Sequence, residues 1–164
     1  MVKQDAFREA PSPALVAARY VVGDLDEKLV PMWAAWWVAN GDDGTAVVTP
    51  AGLSGTDPAD VRDAVRPALD EIGITIPPFP QGWRVVAADR AADCLAGRFD
   101  EFDLAAWVER IYHDSNYHDA VIKDPLGAIY GVDDEHVGGW GRTDAALRAE
   151  VRSICQHQTR LGYG

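Results

Sequence analysis

Apolar residues recur along most of the chain at intervals of three and four positions, the spacing of one face of an α-helix. Three of these stretches begin at residues that favour a helix start. Asp100 and Thr143 each stand in an N-cap position, and Asp57 is followed by Pro58 at the first helical position. The pattern predicts a mainly α protein, a compact bundle of about six helices.

Prolines interrupt several of these stretches. Pro31 and Pro67 lie inside predicted helices, so we expect these helices to be kinked or to restart there, and Pro50 interrupts the short apolar segment Thr45–Leu53. Residues 1–13 read as a flexible N-terminal arm, and 14–164 as a single helical domain. The proline-rich stretch at 74–81 is the best internal boundary, which also allows two helical halves joined by this linker.

One predicted helix is unusually rich in tryptophan. Asp24, followed three residues later by a glutamate, resembles a capping box, and the helix is expected to stop at Asn40. At about 100° per residue, Trp36 falls in the middle of the apolar face. Val30 and Trp37 then fall to one side of that face.

Aromatic and apolar residues outside the core stripes are candidates for binding a partner. Val30 and Trp37 form one such pair, and Trp140 lies in a glycine-rich segment. Exposed aromatic side chains of this kind anchor protein interfaces. The alternative is that another part of the same chain covers them.

The charge balance narrows the choice of partner. The chain has 26 acidic and 15 basic residues, for a net charge of −11. This argues against binding a nucleic-acid backbone or an anionic membrane, and it is compatible with a basic protein partner, a cationic ligand or a merely solubilising surface.

Cysteine usage and hydropathy predict a cytoplasmic location. Cys94 and Cys155 occupy apolar helical positions, which favours buried free thiols over a disulfide or redox pair. The N-terminus does not resemble a signal peptide, and no apolar run approaches the roughly 20 residues that span a bilayer.

The segment Ile111–Asp119 offers the one constellation of possible metal ligands. It repeats His-Asp, as His113-Asp114 and His118-Asp119, and both residue types bind Zn or Mn. Residues five apart on a helix point roughly 140° away from each other, so the chain must turn to bring the pairs together. Otherwise they are polar loop residues.

The segment Trp36–Gly73 contains W-x-x-x-G-x-D, then AGL, then D-P-x-x-V and ALxEIG. In these motifs it resembles small acidic helical proteins of high-GC bacteria to which no activity is assigned. The resemblance covers under a quarter of the chain and implies a helical fold. It transfers no catalytic residue, because the motifs consist of caps and core positions.

Two functions are expected from these observations. The first is a non-catalytic interaction or regulatory protein, without a cofactor, that binds a protein partner or self-associates. The alternative is a metal-dependent hydrolase that uses the His-Asp residues. No GxSxG or phosphate-binding loop is present to suggest other chemistry.

Overall fold

A computed structural model describes residues 10–161, and the fold is all-α, as the periodicity predicts. Residues 1–9 of the expected N-terminal arm lie outside this range. Within it there are nine α-helices and one 3-10 helix: α1 (Pro13–Val22), α2 (Val30–Ala39), α3 (Thr45–Ala51), α4 (Pro58–Glu71), α5 (Phe79–Leu95), α6 (Glu101–Asp114), α7 (Asp119–Lys123), the 3-10 helix (Pro125–Ile129), α8 (Val132–Gly138) and α9 (Asp144–Arg160). The count exceeds six because α3, α7 and α8 are too short to show a helical period.

The chain divides into two units. The first comprises the residues up to Tyr20 together with Leu25–Ile76, and the second comprises Val21–Asp24 and the chain from Pro77 onward. The main division therefore falls between Ile76 and Pro77, inside the proline-rich stretch.

The core of the first unit is built mainly on α2, α3 and α4. In α4, the Asp57 side chain accepts a hydrogen bond from the Ala59 N–H at 3.0 Å, and Pro58 follows it. Both features confirm the predicted start of this helix. The hydrophobic core cluster of the first unit consists of Val16, Ala17, Leu25, Val30, Trp33, Ala34, Trp37, Val47, Val61, Val65, Ala68 and Leu69.

Helix α2 starts later than predicted. It begins at Val30, so Asp24 does not cap it, and Pro31 lies in its first turn. A first-turn proline costs no hydrogen bond, because the N–H groups there have no partner within the helix. Pro31 therefore starts this helix and does not kink it.

Helix α3 forms in a segment that was predicted only as a short apolar stretch interrupted by a proline. Its N-cap residue, Gly44, makes no side-chain hydrogen bond. The cap comes from α4, because the Glu71 carboxylate accepts hydrogen bonds from the N–H groups of Ala46 at 2.7 Å and Val47 at 3.1 Å. A Cβ at position 44 would lie 2.3 Å from that carboxylate, which explains the glycine.

The second unit is built mainly on α5, α6 and α9. Asp100 and Thr143 accept N–H hydrogen bonds at the starts of α6 and α9, as predicted. Trp83 on α5 stacks on Trp107 of α6, with ring centroids 5.3 Å apart. The fully buried apolar residues of this unit include Trp83, Val86, Ala87, Ala91, Cys94, Leu104, Ala105, Val108, Ile111, Val121, Leu126, Ile129, Leu147, Val151 and Cys155.

Asp24 belongs to the second unit and has a structural role there. Its Oδ2 accepts hydrogen bonds from Arg90 Nη2 at 2.6 Å and Nε at 3.1 Å. Its Oδ1 accepts from Trp107 Nε1 at 2.8 Å and Arg110 Nη2 at 3.1 Å. The carboxylate is almost fully buried, and it links the end of the α1 segment to α5 and α6.

A second buried carboxylate, Glu101, joins α6 to α9. It accepts hydrogen bonds from Arg152 Nε at 2.5 Å and from Arg148. Burial alone would raise the pKa of Glu101. The backbone N–H of Glu101 and the two guanidinium groups outweigh that effect and hold its pKa below the ordinary value.

This pKa predicts how one part of the stability depends on pH. A depressed folded-state pKa contributes stability that is present above the unfolded pKa and lost as the pH falls through the folded pKa. Glu101→Gln should therefore lower the free energy of unfolding by about 1–2 kcal/mol at pH 7, since both arginines are partly exposed and solvent screens them. The difference should shrink below about pH 4.3, the ordinary pKa of glutamate.

Urea denaturation of both proteins from pH 7 to pH 3 measures this difference. Glu150→Gln is the matched control, because Glu150 on α9 also pairs with an arginine but is exposed. A stability difference between wild type and Glu101→Gln that stays constant over this pH range would contradict the assignment.

Candidate functional site

Helix α2 has no polar face. Its sequence is VPMWAAWWVA, so every position is apolar. A helix that is apolar all round is normally buried all round. Here only one side is buried, by Val30, Trp33, Ala34 and Trp37, and the other side is in water.

The exposed side forms a continuous strip. Leu29, Met32 and Trp36 follow one helix face at positions i, i+3 and i+7, and Met32 and Trp36 are 57% and 44% exposed. Ala35 and Ala39 lie between them and are also exposed. We call these five residues the α2 apolar face. In the same unit, Val48 of α3 is a further exposed apolar side chain.

The exposed face of α2 is the one that the sequence analysis placed in the core. Trp36 was expected in the core, yet Trp37 is the buried neighbour, 6% exposed, and its Nε1–H donates to the Pro11 carbonyl at 3.2 Å. Val30 is fully buried as well, so neither Val30 nor Trp37 is a surface anchor. Trp140, in the second unit, is exposed. The periodicity could not choose a face, because every position of α2 is apolar.

The four predicted metal ligands each have other contacts. Asp114 accepts a hydrogen bond from Arg110 at 3.4 Å, and Asp119 pairs with Lys123 at 2.6 Å. His118 caps α7, where its Nδ1 accepts the Ala120 N–H at 3.1 Å, and its ring contacts Phe79. His113 Nε2 lies 3.4 Å from the Tyr130 hydroxyl.

The turn between the two His-Asp pairs does not gather them at one point. Within residues 10–161, no group of three or more His, Cys, Asp or Glu residues is placed to hold a metal ion. His136, further along the chain, lies 2.9 Å from Asp144 and stacks on Phe102.

The same segment builds an aromatic cluster that the sequence analysis missed. The rings of Tyr112 and His113 contact each other, and each also contacts the rings of Tyr117 and Tyr130. We call these four residues the tyrosine cluster. In the sequence, the signal for this cluster was that Tyr112 and Tyr117 each precede a His-Asp pair in IYHDSNYHD. Tyr130 comes from the end of the 3-10 helix, 13 residues further on, and no local pattern connects it to them.

The two cysteines meet inside the second unit. Cys94 on α5 and Cys155 on α9 are both buried, as predicted, and their side chains hydrogen-bond to each other. The hydrogen bond to Cys94 and burial raise the pKa of Cys155 well above its ordinary value. The same hydrogen bond lowers the pKa of Cys94, so the raised value belongs to Cys155 alone. Because both thiols are buried, the pair serves to pack the core of this unit.

A pocket of about 500 Å³ opens in the second unit between α7, the 3-10 helix and α9. Its basic residue types are Lys123, His157 and Arg160, which all lie in or near the last turn of a helix. Basic residues are favoured there by the helix dipole. Lys123 is also paired with Asp119. The basic lining of the pocket is therefore explained by the positions of these residues at helix ends.

No protein-family model, curated protein or solved structure matches the chain. Over residues 10–161, none of the helices combines the length and the apolar character needed to cross a membrane. The functional argument therefore depends on the surfaces described above.

Proposed function

We propose that this chain is a non-catalytic interaction protein that self-associates, with a second copy of the chain packing on the α2 apolar face. The proposal rests on one observation: helix α2 contains no polar residue, and yet one of its faces is exposed to solvent. A contiguous exposed apolar surface of this kind marks an interaction site more often than a simple boundary with solvent.

The charges around the face favour a second copy as its occupant. A basic partner would gain little from this face, because it has no carboxylate, although the chain as a whole carries a net charge of −11. Pairing about a two-fold axis sets an apolar face against itself, and self-complementarity is what such an interface requires.

The ends of α2 support an antiparallel pairing. Lys28 is exposed just before the helix, and Asp42 and Asp43 are exposed just after it. In an antiparallel pair, the lysine of each copy lies beside the aspartates of the other, and the two helix dipoles oppose each other. Helix α2 is about 15 Å long, so it forms the centre of an interface whose rim comes from its neighbours.

A charge placed at the centre of this interface tests the proposal. Trp36→Glu should raise the dissociation constant of the dimer at least about 100-fold, because two buried carboxylates would face each other across the two-fold axis. In sedimentation velocity, we expect the wild type to approach twice the chain mass of 17.8 kDa with rising concentration, while Trp36→Glu stays at 17.8 kDa.

Trp140→Glu is the matched control, since it makes the same exchange at an exposed tryptophan outside the face. It should sediment like the wild type. A wild type of 17.8 kDa at every concentration would reject self-association. Equal dissociation by both variants would reject the α2 apolar face as the interface. Circular dichroism on each variant verifies that the helices are intact.

A further inference from the structure

The tyrosine cluster presents open aromatic surface. The Tyr112 ring stands nearly perpendicular to those of Tyr117 and Tyr130, at angles of 87° and 78° and centroid distances of 5.3 Å and 5.4 Å. The His113 ring lies 5.3 Å from Tyr117 and 6.2 Å from Tyr130. Tyr117 and Tyr130 are 58% and 42% exposed, so the rings contact one another and still face water.

The backbone holds Tyr117 in this cluster at a cost. Asn116 and Tyr117 have φ values of 56° and 60°, in the left-handed region, which is strained for a residue with a side chain. This turn brings the chain back over the end of α6, where the Tyr117 N–H donates to the Tyr112 carbonyl at 2.8 Å. A glycine would make the turn without strain but would remove the ring.

Negative charge surrounds the rings. Partial burial and the nearby carboxylates of Glu109 and Asp134 raise the pKa of Tyr130. Neither carboxylate forms a hydrogen bond or ion pair with another residue in the part of the chain that the structure describes. Within residues 10–161, their charge is therefore not offset by a direct ion pair.

Other aromatic rings of the chain already have a cation. Arginine guanidinium groups lie over the rings of Tyr20, Trp33, Phe99, Phe102 and Trp107. Among residues 10–161, no such contact is made to Tyr112, Tyr117 or Tyr130. The tyrosine cluster thus combines aromatic faces and unpaired carboxylates, and it lacks the positive charge that both attract.

We propose that the tyrosine cluster binds an organic cation with a methylated ammonium head. The faces of aromatic rings attract a cation through their quadrupole, and three tyrosines meet at this point. A methylated ammonium is the better fit than a primary ammonium. A methylated ammonium is more weakly hydrated than a primary ammonium, so it loses less hydration free energy when it contacts half-exposed rings. Its methyl groups also contact the rings directly.

Choline and its neutral isostere 3,3-dimethylbutan-1-ol test the proposal, because they differ in charge and hardly in shape. Each is titrated into the full chain at constant ionic strength, and the ring resonances of the tyrosines are followed by NMR. Choline should shift the signals of Tyr112, Tyr117 and Tyr130 to saturation, and the neutral alcohol should not.

Variants identify the source of the binding. The double variant Tyr117→Leu with Tyr130→Leu should weaken choline binding about tenfold, since each half-exposed ring contributes a factor of about two to five. Tyr130→Phe keeps the ring and should bind as the wild type does. Glu109→Gln combined with Asp134→Asn should also weaken binding, and most strongly at low salt.

Three results would overturn the proposal. Equal shifts with the neutral alcohol would show an apolar contact without cation recognition. The absence of saturation would show that there is no site. An equal loss of binding in Trp140→Leu, which removes an exposed ring outside the cluster, would show binding to any aromatic surface. Butylammonium serves as the primary-ammonium arm, and its binding as tightly as choline would contradict the preference for a methylated head.

Discussion

Replacing Asp24 with alanine is expected to lower the free energy of unfolding by about 3–5 kcal/mol. The substitution leaves Arg90 and the Trp107 indole N–H without the acceptor that now lies 2.6 Å and 2.8 Å from them. Removing one partner of a buried, hydrogen-bonded ion pair costs this much because the other partner stays buried without compensation. Arg110 adds little, since it is about half exposed.

Urea denaturation followed by circular dichroism measures this loss. Asp26→Ala is the matched control, because Asp26 is an exposed neighbour whose carboxylate accepts a hydrogen bond from the Lys28 N–H at 3.1 Å, and it should cost less than about 1 kcal/mol. A loss for Asp24→Ala of about 0.5–2 kcal/mol would fit the helix cap that the sequence suggested and would contradict the buried network.

The adjacent tryptophans of α2 are expected to respond in opposite ways. Trp37→Ala should lower the free energy of unfolding by about 3–5 kcal/mol, because it removes a buried ring and the hydrogen bond to Pro11. Trp36→Ala should cost less than about 1 kcal/mol in the monomer, because its ring is half in water. It should, however, weaken self-association.

Thermal unfolding at low protein concentration separates the two effects, because a dimer contributes no stability when it is dissociated. Trp36→Ala and Trp37→Ala differ by one position in the same helix, so helix propensity is matched. Equal melting temperatures for the two variants would contradict the observed face, and a lower one for Trp36→Ala would favour the face that the sequence predicted.

The sequence alone predicts a helix correctly where the residues that determine its start and its buried side are close together in the chain. The caps at Asp57, Asp100 and Thr143 lie next to the helices they start, and the stripes that follow contain polar positions that define the buried side. The all-α class follows from those stripes. Helix α3 was missed for the opposite reason, because its cap, Glu71, is 25 residues away.

The surfaces depend on contacts between distant residues. Asp24 resembles a cap in sequence, yet its partners lie 66 to 86 positions further along the chain. The faces of α2 are equally apolar, so only packing decides that Trp37 is buried. The His-Asp pairs are separated by a left-handed turn at Asn116 and Tyr117 that no spacing rule anticipates. That turn brings aromatic rings together, and it does not bring the expected metal ligands to one point.

The two proposals can be tested independently. The α2 apolar face belongs to the first unit and the tyrosine cluster to the second. Trp36→Glu should leave choline binding unchanged, and the tyrosine variants should leave the average mass in sedimentation unchanged. Failure of one proposal therefore leaves the other in place.

Sedimentation equilibrium of the wild type at increasing NaCl concentration tests self-association most directly. Each copy carries a net charge of −11, so salt should screen the repulsion between copies. This gain should exceed the loss at the exposed pairs of Lys28 with the aspartates, which contribute little, and the apolar contact is not weakened. The average mass should rise from 17.8 kDa toward twice that value as salt and protein concentration increase. A mass of 17.8 kDa at every concentration of protein and salt would contradict the account, as would a dimer that dissociates when salt is added.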